Sequence, residues 1–216
     1  IVYYEAYRIM KQSLPDDVLL VHVTYFPTPQ HINELKSKPT QLSVKNLHAM
    51  GIQPDFIVGR AESTIDDKRK EKVAYFCNMH KDDVISNPDA ESIYQIPLTF
   101  LEQKFDERIL EKLKLPKKSA KIQSWKNLVD KILAKKTRRV SVAIIAKYLS
   151  TGDYELKDSY TSLLESLEHA GWHSDTDLEI IFIKAESLEK KTKKALEDLH
   201  RADGIVVPIG WGSRGV

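Results

Sequence analysis

"LKSKPTQLSVKNLHAMGIQPDFIVGR", residues 35–60, decides the fold. Its first third is polar and cationic, its middle carries apolar residues at helical spacing, and its end, "DFIVGR", is a short β-prone run. Gly51 closes the helical pattern and Pro54 prevents its continuation, so a helix over 43–50 is expected, followed by a strand over 55–60. Upstream, "DVLLVHVTY" at 17–25 is apolar and β-branched enough for one buried strand. Strand, helix, strand in that order is a βαβ unit, which builds a parallel sheet flanked by helices.

Working outward, "STIDDKRKEKVAYFCNM" reads as an amphipathic helix with Val73, Phe76 and Cys77 on one face. A brief strand is expected at 84–86, a turn at Asn87 and Pro88, and a helical turn before Pro97. Residues 99–113 read as helix, and "KLKLPKKSAKIQ" as a lysine-rich, proline-broken boundary. Beyond it, "SWKNLVDKILAKKT" reads as a helix. A second alternating run comes next: a strand in "RRVSVAIIAKYLS", helix 160–170, strand "DLEIIFIKA", helix 187–200 and strand "GIVVP". The expected division is 1–115 as one α/β domain portion, 116–138 as a linker with a helix, and 139–216 as the start of a second domain.

The chain has 216 residues, is 42% hydrophobic, and carries a net charge of +2 from 33 basic and 31 acidic residues. That balance argues against a general nucleic-acid or membrane-surface binder, so any cation site is local. The one cysteine, Cys77, excludes an intrachain disulfide and fits a reducing cytoplasm. The opening "IVYYEAYRIMKQS" reads as a helix under way, and "IVVPIGWGSRGV" stops inside a glycine-rich loop. The chain is therefore expected to be a piece of a longer protein.

The start of the first βαβ helix is an anion site by construction, because first-turn N–H groups lack intrahelical partners and carry the positive end of the dipole. Lys36 and Lys38 reinforce it. Thr40 is expected to cap or donate its hydroxyl, and Gln41 offers both a donor and an acceptor. Cys77 lies in a helical pattern without the small residues a nucleophile elbow needs, so it reads as structural. His169 and His173 are separated by Gly171 with no carboxylate at metal-ligand spacing, and no G-x-x-x-x-G-K-[ST] loop occurs.

"KSKPTQLSVKNLHAMGIQPDFIVGR" resembles the K-T-K-P-T-Q segment of the glutamine-hydrolysing CTP synthase family. The likeness continues through "EKVAYFCNMHKDDVISNPDAESIYQIP" to "VSVAIIAKYLSTGDYELKDSYTSLLESLEHAGW" and "DGIVVPIGWGSRGV". The resemblance implies a parallel-sheet synthetase (amidoligase) portion followed by the first part of a class I glutamine amidotransferase domain. It implies a ligase that uses ATP and Mg to aminate UTP to CTP with ammonia from glutamine. By the same resemblance, Lys36, Ser37, Lys38, Pro39, Thr40, Gln41 and Lys72 hold UTP or the inhibitor CTP. Arg60, Pro88, Asp89 and Ala90 form the ATP adenine pocket, and Gly210 meets glutamine. His22 and Pro27 match the family as well.

Mg ligands and the catalytic cysteine, histidine and glutamate are expected outside this sequence, so the piece alone should not turn over. A cytoplasmic homo-oligomer, a tetramer in the family, with GTP as a candidate effector, is implied. Two departures stand out: "PTPQHINELK" lacks the family's glycine, and Ile209 stands where the glutaminase loop has the first of two glycines. Ile209 therefore leaves open an alternative, a non-catalytic UTP/CTP-binding regulatory relative.

Overall fold

The structure, a computed structural model, describes residues 2–32, 34–148, 150–151, 154–155 and 157–210. The chain divides into two compact units, 1–133 and 134–216. The first contains α1 (Val2–Ser13), β1 (Val21–Tyr25), α2 (Lys38–Ala49), β2 (Phe56–Ala61), α3 (Asp67–Phe76), β3 (Val84–Pro88), α4 (Ile96–Glu102), α5 (Phe105–Lys112) and α6 (Gln123–Leu133). Its three strands run in the order β1-β2-β3, all parallel, with Tyr25 opposite Arg60 and Ala61 opposite Pro88.

Side chains alternate across a strand, so β2 feeds two cores. Ile57 and Ala61 join Phe26, Val44, Val73, Cys77 and Val84 on one face. Phe56 and Val58 join Ile85 and Phe105 on the other, with Leu19, Phe100 and Ile109 against them. Phe56 meets Phe105 edge-on with ring centroids 5.0 Å apart. Between the apolar positions of β2 sits Gly59, where an added Cβ would lie 2.4 Å from Ile65 Cδ1 and 2.6 Å from Phe26 Cε2. A side chain there would have to displace both of them.

The expected βαβ order is present, with corrections at its edges. Strand β1 begins at Val21, so residues 17–20 lead into it as a loop. Helix α2 begins at Lys38 rather than at 43, because Pro39 in its first turn has a helix-compatible φ and needs no N–H donor there. The turn expected at Asn87 and Pro88 is instead the end of β3, where a proline at the last position of an edge strand costs no ladder bond. The helix expected over 99–113 breaks at Gln103 and Lys104, the latter left-handed at φ 55°. Val73 and Cys77 are buried on α3 as expected, but Phe76 is 58% exposed and packs edge-on with Tyr75. Helix α6 belongs to this unit, anchored by Trp125 Nε1 donating to Tyr94 O at 2.8 Å.

The second unit contains β4 (Arg138–Ala146), β5 (Ser150–Thr151), β6 (Tyr154–Glu155), α7 (Thr161–His173), β7 (Thr176–Lys184), α8 (Ala185–Glu189), α9 (Lys193–Arg201) and β8 (Gly204–Val206). Its sheet is parallel in the order β7-β4-β8. Ala143, Ile181, Ile183 and Ala195 form the core on one face; Ile144, Ala146 and Tyr160, with Leu163, Leu164, Leu167 and Phe182, form it on the other. The helix expected over 187–200 is two helices parted by Lys191 at φ 52°. Among the described residues, no helix is long and apolar enough to cross a membrane.

Candidate nucleotide site

The loop from β1 to α2 is held against the carboxyl end of the first sheet. Phe26 N donates to Arg60 O at 2.8 Å, extending the ladder, and Lys36 N donates to Pro27 O at 2.9 Å. Ser37 takes the N-cap position of α2 but makes no side-chain cap bond. Its hydroxyl instead accepts from Gln41 Nε2 at 3.0 Å. Thr40 does not cap either. It is fully buried within the first turn, with its hydroxyl 3.2 Å from Thr24 Oγ1 and 3.5 Å from Tyr25 O. One turn later, Ser43 Oγ lies 2.9 Å from His22 Nε2, whose ring burial pushes its pKa below the ordinary imidazole value. Thr40 with Thr24, and Ser43 with His22, thus fasten the helix start to β1, while Lys38 and Pro39 face solvent and Ser37 gives the first turn no side-chain cap.

A charge bridge joins this loop to α3. Glu34 accepts from Lys36 Nζ at 2.7 Å and from Arg69 Nη2 at 3.1 Å, and Arg69 Nε donates to Leu35 O at 3.2 Å. The hydrogen bond from Lys36, with a smaller contribution from Arg69, holds the Glu34 carboxyl below the usual carboxylate range. Arg69 also pairs with Asp66, the residue that caps α3 by accepting from Arg69 N. Lys72 lies one turn beyond Arg69 on the exposed side of the same helix. The Lys36 loop and the first turn of α3 are therefore neighbours, although the sequence separates them widely.

Arg60 and the residues after β3 meet at the same edge. Arg60 stands opposite Asn87, Asp89 N donates to Ala61 O at 2.9 Å, and Arg60 Nη2 pairs with Asp89 Oδ1 at 3.1 Å. Pro88 is half-buried, and Asp89 and Ala90 are exposed. Two further residues at this edge carry no local signal in the sequence. Asn87 is 6% exposed, and its buried Oδ1 has no hydrogen-bond partner among the described residues. Gln103 reaches in from the α4–α5 break to bond Ser86. The carboxylates around the edge, Glu34, Asp66 and Asp89, each face a cation. No group of three or more His, Cys, Asp or Glu residues that could hold a metal occurs among the described residues.

In the second unit, Pro208, Ile209 and Gly210 come after β8, and the rest of the expected glutaminase loop lies outside the described residues. Ile209 is 70% exposed and is not among the described non-glycine residues with positive φ. Cys77 is fully buried and its thiol is pushed up to about 11 by that burial.

The family description "CTP synthase N-terminus" matches residues 1–115. The chain is 41% identical over 215 residues to a CTP synthase of Bdellovibrio bacteriovorus, covering 99% of this chain and 39% of that relative. It is 41% identical over 217 residues to a CTP synthase of Bacillus cytotoxicus, with the same shares covered. A CTP synthase of Methanocaldococcus jannaschii is 39% identical over 219 residues, again 99% of this chain and 39% of the relative. The chain thus spans about two fifths of the length of these relatives, and it belongs to the CTP synthase N-terminal family.

Proposed function

We propose that this chain is the nucleotide-gripping part of a CTP synthase, a ligase of pyrimidine nucleotide biosynthesis, together with the opening of its glutamine amidotransferase domain. Lys36, Ser37, Lys38, Pro39, Thr40, Gln41 and Lys72 take the triphosphate and sugar of UTP, and of CTP as an inhibitor in an overlapping site. Arg60 with Pro88, Asp89 and Ala90 takes the adenine of ATP, and Gly210 meets glutamine. The observation that carries this reading is the uncapped first turn of α2, flanked by Lys36 and Lys38 at the carboxyl end of a parallel sheet, where such folds gather ligands. Backbone N–H groups at that turn and two nearby ammonium groups suit a polyphosphate.

In the proposed reaction, ATP phosphorylates the 4-oxygen of the uracil ring, releasing ADP. Ammonia attacks ring carbon C4, the C4–O bond breaks with its electrons going to inorganic phosphate, and the added nitrogen loses a proton, giving CTP. Magnesium, when bound, neutralises the phosphate charges, and its ligands come from residues other than those described around this edge. The role of the present residues is to hold two nucleotides in register. Turnover is proposed to require the rest of the protein, as are assembly into a homo-oligomer, a cytoplasmic location and a response to GTP. The alternative of a non-catalytic UTP/CTP-binding regulatory relative rests on Ile209, and comparing glutamine-dependent with ammonia-dependent synthesis in the intact protein and its Ile209→Gly variant tests it.

The test is steady-state kinetics of the intact protein carrying Lys38→Ala or Arg60→Ala. Lys38→Ala is expected to raise the KM for UTP by about tenfold, the effect of losing one charge-assisted phosphate contact, with less effect on ATP. Arg60→Ala is expected to do the reverse. Equal changes for both nucleotides in both variants would defeat the assignment.

A further inference from the structure

Gln103 sits in the two-residue break between α4 and α5, beside Lys104 with its left-handed backbone. Its side-chain amide is fully used. Oε1 accepts from Ser86 N at 2.8 Å and from Lys70 Nζ at 2.9 Å; Nε2 donates to Ser86 O at 2.8 Å and to Thr99 O at 3.0 Å. A primary amide has two donors and two acceptor lone pairs, so no capacity remains. Strand β3 is an edge of its sheet, and Ser86 lies at its centre. The amide meets both the N–H and the C=O of Ser86, as a residue of one more strand would. Ser86 is further fixed by its hydroxyl, which accepts from Ile65 N at 2.9 Å.

Residues 88–90, two positions past Ser86, are the proposed adenine wall. Pro88 has no N–H, so it donates no bond of its own to hold that stretch. On the β2 side the anchors are Asp89 N to Ala61 O and the Arg60–Asp89 pair. On the open side the nearest anchor is Gln103 on Ser86. The same Oε1 also holds Lys70, which lies on α3 two residues before Lys72. Lys70 is half-buried, and Asp67, Asp82 and Lys81 are the charged groups that act on it. Lys70, Ser86, Pro88 and Gln103 together line a cavity of about 310 Å³ beside the first turn of α3.

We propose that Gln103 is a positioning residue of the nucleotide site, setting the end of β3 and hence residues 88–90 against the helix that carries Lys72. The proposal rests on the assignment of Arg60 and residues 88–90 to ATP. Gln103 touches no nucleotide in this arrangement and acts through the backbone of Ser86.

The experiment uses the intact protein with Gln103→Met, which keeps the shape and removes all four bonds, and Gln103→Glu, which keeps the acceptor for Ser86 N–H and Lys70 but loses donation to Ser86 O. Gln103→Met is expected to raise the KM for ATP by about tenfold while the KM for UTP moves by less than about threefold, and to accelerate amide hydrogen exchange at Ser86. Gln103→Glu is expected to recover part of both losses. An unchanged KM for ATP, or equal rises for ATP and UTP, overturns the proposal. If Gln103→Met does not fold, Gln103→Glu carries the test, because it loses donation to Ser86 O and Thr99 O, and an unchanged ATP KM in that variant, with Ser86 exchange also unchanged, overturns the proposal instead. Arg60→Ala separates the two levels. If it leaves the KM for ATP unchanged, the adenine reading fails and takes this proposal with it; if it raises that KM while Gln103→Met does not, only the positioning role fails.

Discussion

The two parallel sheets of this chain are fastened alike at the amino ends of their strands and differently at the carboxyl ends. At the amino ends, acids tie strand starts to their surroundings. In the first unit Asp55 Oδ2 accepts from Leu20 N at 2.8 Å, and buried Asp83 accepts from Arg108 at 2.7 Å and Lys112 at 3.1 Å. In the second, Asp203 and Ser141 exchange backbone and side-chain bonds at 2.8 Å, and Glu179 collects Arg139, Ser141 and Arg201. Toward the carboxyl ends, the first sheet carries an organised set of polar side chains: Thr24 with Thr40 and Arg60 with Asp89, backed at the centre of β3 by Ser86 with Gln103. The second has Tyr160, whose hydroxyl accepts from Lys147 N and Tyr148 N at 3.0 and 2.9 Å, and the loop with exposed Ile209. Amino-end polarity ties strand starts in both, and carboxyl-end polarity in the first coincides with the proposed nucleotide site.

If that division of labour is right, removing an amino-end acid should cost stability without discriminating between nucleotides. Asp83→Ala leaves half-buried Lys112 without its acid and Arg108 with only a distant contact to Asp82, and about 3 kcal/mol of unfolding free energy should be lost, near the lower end for a broken buried pair. Chemical denaturation measures it; a selective rise in the KM for ATP would break the comparison. Next in size is Gly59→Ala at the centre of the first sheet, where the new methyl must displace Ile65 and Phe26, costing about 2 kcal/mol by overpacking. A midpoint equal to the parent's would show that those two side chains move freely. In the second sheet, Tyr160→Phe orphans two backbone donors and should cost about 1 kcal/mol by loss of its hydrogen bonds, with a smaller shift in denaturation midpoint than Asp83→Ala. An equal or larger shift would make its carboxyl end as tightly fastened as the first.

The smallest effect expected is a pH dependence at His22. Burial lowers its folded-state pKa below the ordinary value of about 6.5, so the unfolded chain takes up the proton first. The contribution is intact above about pH 6.5 and is lost as pH falls from there toward the lower folded pKa. The slope of stability against pH over this window should flatten in His22→Gln. A parent slope identical to that of the variant would remove His22 from the account.

Legibility in the sequence differs from residue to residue. The βαβ order stands in the sequence because β-branched runs, Gly51 and Pro54 are local signals, and the strand order then brings Arg60 beside residues 87–89. The true start of α2 is masked by its polar first turn, although Pro39 marks it. Spacing alone places Phe76 inside, yet Val73 and Cys77 already fill that face, and the helix turns Phe76 to its flank. Nothing local announces a lysine in a left-handed conformation, so the breaks at Lys104 and Lys191 are invisible in the sequence. Without the first of these breaks, Gln103 reads as one more polar helical residue. Its bond to Ser86 exists only once β3 is an edge.

The burial of Cys77 turns the first unit into its own stopwatch. As the only cysteine in these 216 residues, it is the one thiol target within them. With its pKa at about 11 and its side chain sealed against Val73 and Val84, that target is silent while the core stays closed. The labelling rate then counts openings of the first unit alone, at low denaturant and in the presence of either nucleotide. A ligand seated on the α2–α3 edge should slow the count in proportion to its occupancy.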